Sequence, residues 1–185
     1  VKFLPTSLRT RIAERMLRTT KSNARKKKGV NLRGAEQIIL TYTETDERKF
    51  KLVKDIAIYL KKEYDIKRVM RFAYIQADEK AIPTWHMRKL ESDFFCMSDL
   101  NWYEKPIKNV KAHMDEAYDI LIHLDPDAEI ALDFFVAGSK AKMKVANFSA
   151  HRADDFDILI PPQPKDSWKQ RNHRIIEFIG DSPLT

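Results

Sequence analysis

Residues 36–75, EQIILTYTETDERKFKLVKDIAIYLKKEYDIKRVMRFAYI, decide the fold. Glu36 to Tyr42 is an alternating, β-prone run and reads as a strand, and Thr43 to Asp46 supplies a turn and a helix cap. Glu47 to Tyr64 then brings Phe50, Val53, Ile56, Ala57 and Leu60 to one face at helical spacing. Arg68 to Ile75 is a second strand. Strand, helix and strand in that order make a βα unit followed by a strand that can lie parallel to the first.

Downstream the alternation continues. A short helix is predicted over Thr84 to Leu90, a short strand over Asp93 to Met97, a helix over Asn109 to Ala117 and a strand over Ile120 to Leu124. Glu129 to Lys142 is almost wholly apolar through Ile130, Ala131, Leu132, Phe134, Phe135, Val136 and Ala137, which predicts a buried helix with Gly138 permitting close approach. Met143 to Asn147 and Phe156 to Ile160 are the last strands. Pro161, Pro162 and Pro164 form a stiff connector, and Ser167 caps a closing helix that reaches about Ile179. The expected fold is α/β: a Rossmann-like or flavodoxin-like three-layer sandwich with a mostly parallel sheet covered on both faces.

Upstream the composition changes. The chain has 185 residues and a net charge of +7, but the excess is confined to residues 1–33, which hold eleven Lys and Arg against the single acid Glu14. The other 152 residues carry 23 basic and 26 acidic side chains. Leu8, Ile12, Ala13, Met16 and Leu17 fall at helical spacing after Pro5 and a cap at Thr6 or Ser7, predicting a basic helix over about residues 7–24. Its apolar seam either packs on the protein's own body or is offered to a partner. Residues 1–33 are thus read as a basic amphipathic arm, joined by a flexible Arg-Lys-Lys-Lys-Gly hinge to a single α/β domain over 34–185.

Several function classes lack their sequence signals. No apolar run reaches the roughly 18 residues of a membrane span, and the sole cysteine, Cys96, cannot close an intramolecular disulfide, so a reducing cytoplasmic location is expected. With only four glycines there is no GxGxxG and no GxxxxGK[ST], and a G-x-S-x-G nucleophile elbow is missing too. The threonines of Thr41 to Glu47 lack a glycine to bring backbone N–H groups to a phosphate, and Glu44, Asp46 and Glu47 would repel one. That stretch reads as a helix cap.

Three clusters remain. His123, Asp125 and Asp127 in HLDPD could bind a metal or serve acid/base chemistry if a further ligand came from Asp99 or His151, although strand ends and Asp-Pro turns commonly look this way. The loop Ser98 to Pro106 carries Asn101, Trp102 and Tyr103 to the sheet edge, where Trp102 either covers the core or meets a ligand or partner. Lys169, Arg171 and Arg174 beside Trp168 form a second basic patch, which an ordinary solvated helix face would also explain. No residue takes a catalytic or metal-ligating role, and no cofactor is expected.

The stretches DFFCMSDLNWYEKP (93–106) and YDILIHLDP (118–126) resemble an uncharacterised family of small α/β proteins from Bacteroidetes, a likeness spanning most of the chain and implying no activity. More remotely, YDILIHLDP followed by VAGSKAKMKVANFS (136–149) is similar to one Rossmann-like half of heptosyltransferase-type GT-B enzymes, which implies a fold and not a donor-nucleotide site.

The expectation is a non-enzymatic, ribosome-associated RNA-binding protein whose partners are RNA, ribosomal RNA first, and other RNA-bound proteins. Its contacts would come from Arg9, Arg11, Arg15, Arg18, Lys21, Arg25, Lys26, Lys27 and Lys28, extended by Lys169, Arg171 and Arg174. A degenerate glycosyltransferase-like or small-ligand-binding enzyme using Asp99, His123 and Asp125 is the alternative, and a peripheral anionic-membrane binder a third.

Overall fold

The computed structural model describes residues 5–20, 25–83, 85–86, 89–125, 129–149, 153–161 and 163–181. A helix, α1 (Thr6–Thr19), precedes β1 (Gln37–Glu44), α2 (Glu47–Tyr64) and β2 (Arg68–Ile75). Asp46 caps α2 by accepting the Lys49 N–H at 2.9 Å, and Asp65, in the left-handed conformation at φ 56°, ends it. β1 runs two residues beyond its predicted end, which puts Glu44 in the sheet rather than in a turn. There follow β3 (Ser92–Cys96), α3 (Lys111–Asp115), β4 (Ile120–His123), α4 (Ile130–Gly138), β5 (Met143–Asn147), β6 (Ile158–Ile160) and α5 (Trp168–Asp181). Ser167 and Gln170 cap α5 reciprocally, each backbone N–H donating to the other's side chain.

The six strands lie in the order β3-β2-β1-β4-β5-β6, with every pairing parallel. That is the Rossmann order and not the flavodoxin one. Alternate residues of each strand serve opposite faces. Ile38, Leu40 and Tyr42 of β1 pack with Val53, Ala57 and Leu60 of α2 and Ile175, Ile176 and Ile179 of α5. Ile39 faces the other way, with Phe72, Phe95, Leu121 and the α4 residues Leu132 and Phe135.

Two helix expectations are corrected. Among the described residues of 84–90 there is no helix, because Lys89 and Ser92 exchange backbone hydrogen bonds and close a tight turn; Thr84, Met87 and Arg88 lie outside the described residues. α4 stops at Gly138 rather than at Lys142: its terminal carbonyls, Val136 and Ala137, accept from the buried Lys144 ammonium, and the chain leaves extended at Ser139. Gly138 is a close approach, since a Cβ there would run into Met114 Cε.

The seam of α1 packs on the protein itself. Ala13 and Leu17 are buried against Phe134 and Ala137 of α4, with Tyr103 and Ile130 alongside, so α1 forms a fourth layer. Full burial of Leu17 alone contributes about 1.5–3 kcal/mol. The segment expected to be a flexible hinge is anchored. The Arg25 guanidinium grips Asp157 through two hydrogen bonds, of 2.5 and 2.7 Å, and the Lys28 N–H donates to the Lys142 carbonyl at 3.2 Å. Val30 and Leu32 then enter the core shared by α2 and α5. Among the described residues no helix is long and apolar enough to cross a membrane.

Candidate functional site

In this strand order β2 and β4 leave the two sides of β1, and the crevice above the carboxyl ends of β1 and β4 is where open α/β sheets collect ligands. Here it is filled by the chain's own groups. Asp125 accepts from the Thr43 N–H at 2.6 Å, the Lys49 ammonium at 2.8 and 2.9 Å and the Trp168 indole N–H at 2.7 Å. The Lys49 ammonium also sits 5.6 Å from the Trp168 ring centroid. His123 is buried, with Nδ1 2.9 Å from Thr41 Oγ1 and its ring stacked on Phe156. Asp125 thus ties the end of β4 to β1, α2 and α5, and His123 joins β4 to β1.

Asp99 is not brought to them. It lies beyond β3, with β2 and β1 between it and β4, a separation of roughly 14 Å at the usual strand spacing. There it accepts from the Cys96 N–H and the Asn109 amide, both at 2.9 Å. Asp127 and His151 lie outside the described residues. In the neighbouring loop Asn101 Oδ1 accepts from the Tyr103 and Lys105 N–H groups, which turns the chain so that Tyr103 points inward onto Phe134 while Trp102 stays 40 % exposed. The loop also receives α1, since Arg9 donates to Glu104 at 2.7 Å.

Glu44 and His86 were not singled out by the sequence. Glu44 occupies the next inward position after Leu40 and Tyr42, and its side chain is only 2 % exposed. Among the described residues neither of its carboxylate oxygens has a well-formed hydrogen bond, nor has His86 Nε2, 3.8 Å from Oε2. Burial drives the carboxyl up to about 7, against the hydrogen-bonding pull of the Tyr42 hydroxyl and the charge of Lys49. Burial likewise pushes the His86 imidazole down to about 4, among the rings of Phe50, Trp85 and Phe94. A carboxylate at the fourth inward position of an alternating strand, after Ile38, Leu40 and Tyr42, was the available signal.

The basic residues divide. Arg9 and Arg25 are ion-paired internally, as is Arg174 with Asp166. Burial works against ionised Asp157, but the hydrogen bonds from Arg25 and the Lys144 N–H hold its carboxyl below the ordinary range. Arg11, Arg15 and Arg18 are exposed, without a carboxylate partner among the described residues, and their i, i+4, i+7 spacing sets them on one face of α1 away from Ala13 and Leu17. Lys26, Lys27 and Lys28 are exposed too, Lys27 reaching Asp157 at 3.2 Å; Lys21 lies outside the described residues. Lys169 is exposed and Arg171 half-buried on α5. α5 covers the opposite sheet face from α4, which carries α1, so the two patches do not form one continuous surface.

A profile for a family of unknown function, DUF6913, matches residues 9–179. The chain belongs to that family. The DUF6913 match spans nearly the whole of the fold, from α1 to α5, so the basic helix is part of the family's unit. No curated protein and no solved structure matches the chain.

Proposed function

We propose that this DUF6913 protein is a non-enzymatic RNA-binding protein that docks on structured RNA, ribosomal RNA first, through the outer face of α1 and the exposed lysines 26–28. The observation that carries this reading is the division of α1 itself. Its inner residues, Ala13 and Leu17, fix the helix to the body, leaving Arg11, Arg15 and Arg18 on one solvent-facing row. A row of guanidinium groups on a rigid helix suits phosphate oxygens, which arginine binds through paired N–H donors, and it carries little base specificity. Arg9, Arg25 and Arg174 drop out of the expected footprint because their charges are answered internally.

A dinucleotide role has no support in the crevice, where the β1-to-α2 turn lacks glycine and Asp46 already caps the helix N-terminus. The likeness of residues 118–149 to a GT-B half supports a glycosyl-transfer reading no further than the fold, since Asp125 is consumed by Lys49, Thr43 and Trp168. An anionic membrane is the second surface to test, because Leu8 and Met16, 41 % and 36 % exposed, flank the arginine row.

The test uses the full chain. Fluorescence anisotropy with ribosomal RNA fragments at physiological salt compares wild type, the triple variant R11E/R15E/R18E and K169E. The reading predicts a loss of roughly a hundredfold for the triple variant and little change for K169E. Equal binding by all three overturns it, and flotation with phosphatidylserine vesicles but no RNA affinity transfers the arginine row to the membrane reading.

A further inference from the structure

The turn after β3 holds an indole out to solvent at the flank of α1. Leu100 and Pro106 pair across it, the Asn101 N–H donates to the Lys105 carbonyl at 2.9 Å, and the Glu104 N–H donates to the Asn101 carbonyl at 3.0 Å. Glu104 closes the turn in the left-handed conformation at φ 69°. Trp102 and Tyr103 are its central residues. Tyr103 is turned onto Phe134, and Trp102 is left 40 % exposed. We propose that Trp102 is a stacking platform for an unpaired base of the bound RNA, a role that rests on the RNA reading of α1. The preferred ligand is then a stem-loop or bulged RNA and not an uninterrupted duplex.

Two contacts seat the turn on α1. Arg9 donates to Glu104 at 2.7 Å, and Tyr103 packs against the cluster of Ala13, Leu17, Phe134 and Ala137. Trp102, between Asn101 and Tyr103, therefore stands on the Arg9 side of the helix. Around α1, at the usual 3.6 residues per turn, the exposed Leu8 and Met16 fall between Arg9 and the row of Arg11, Arg15 and Arg18. An α-helix with its side chains is about 10–12 Å across, so one bound RNA spans from the arginine row to the turn.

The indole is suited to a flat partner. Among the described residues its ring neighbour is Tyr103, with centroids 5.1 Å apart and planes at 83°, an edge-to-face contact that occupies at most one face of the indole. Asn101 Oδ1 holds the turn from inside by accepting the Tyr103 and Lys105 N–H groups, so the ring is presented without a further cost of ordering the loop. The Glu104 charge beside it is answered by Arg9 and does not repel a phosphate. Stacking on an aromatic ring accepts any base but needs one that has left its helix, which is the usual way proteins hold single-stranded loops. A bilayer is less well matched, because Ala13 and Leu17 are spent on the body and α1 keeps no continuous apolar face.

Fluorescence anisotropy of the full chain tests the platform with two probes, a ribosomal RNA stem-loop and a blunt RNA duplex with the same number of phosphates. Wild type, W102A and W102F are compared. W102A should bind the stem-loop about tenfold more weakly than wild type, the effect of removing one base-stacking ring. Its duplex affinity and its salt slope should stay at the wild-type values, because no phosphate contact is lost. W102F, which keeps a ring, should recover most of the loss. 2-Aminopurine, placed at each unpaired position of the loop in turn, should be quenched at one of them by wild type and not by W102A. Equal stem-loop affinity for wild type and W102A, or an equal loss on both RNAs, overturns the platform and leaves arginine docking intact. If wild type binds neither RNA, the docking reading and the platform fall together. Flotation of that wild type, but not of W102A, with phosphatidylserine vesicles would then assign Trp102 to a membrane surface.

Discussion

Asp125 and Glu44 stand at the carboxyl ends of neighbouring strands, and their surroundings differ in kind. Asp125 receives a backbone N–H, an ammonium and an indole N–H; Glu44 receives no well-formed hydrogen bond among the described residues. The same contrast divides the basic residues, with Arg25 clamped on Asp157 and Arg11, Arg15 and Arg18 left to solvent. An answered charge holds layers together, whereas an unanswered one does not. Asp125, conspicuous in the sequence within HLDPD, turns out to belong to the first kind.

Removing an answered charge has the largest expected effect. D125A leaves the half-buried Lys49 ammonium and the Trp168 N–H without their acceptor, and urea unfolding should show a loss of about 3–5 kcal/mol. A loss near zero would mean that the network is ornamental and that Asp125 is available for a ligand after all. L17A, which empties the contact between α1 and α4, should cost about 2–4 kcal/mol by the same measurement. If the cost is negligible, α1 is not held as a fourth layer.

Changing Glu44 should act in the opposite direction. E44Q removes a buried charge that lacks a well-formed hydrogen bond among the described residues and should raise stability at pH 8 by about 1–3 kcal/mol. The sign follows from proton binding. Folding lifts the Glu44 carboxyl from its ordinary 4.5 to about 7, so the folded chain holds the extra proton and wild-type stability falls as pH rises across that interval. His86, lowered from 6.5 to about 4, contributes stability that is lost as pH falls through the same region. The two slopes oppose each other in wild type, and E44Q should expose the His86 slope alone. Parallel pH profiles for the two proteins would contradict the account of this pair.

Much of the fold was legible because periodicity reports burial. α2, β2 and β5 have the predicted ends, and the all-parallel sheet follows from their alternation with helices. The order of the strands was not, since nothing local distinguishes a Rossmann from a flavodoxin arrangement of the same elements. The helix expected over 84–90 failed because the Lys89–Ser92 turn is fixed by a pairing across β3's start, not by propensity. Cations were easy to count and hard to sort: Arg9 and Arg25 look like Arg11 in the sequence, and only tertiary placement of Glu104 and Asp157 removes them from the surface. Glu44 was passed over because a carboxylate near a helix start normally reads as a cap, a role taken by Asp46.

The smallest effect on stability is expected where the functional effect should be greatest. Arg11, Arg15 and Arg18 are exposed, so alanine at each should change unfolding by no more than about 0.5 kcal/mol. The most direct measurement is the salt dependence of RNA affinity for wild type and R11A/R15A/R18A. If the row contacts phosphates, the slope of log K against log salt becomes shallower by about three units, roughly one for each lost contact. An unchanged slope with undiminished affinity would contradict the outer face of α1 as the docking surface.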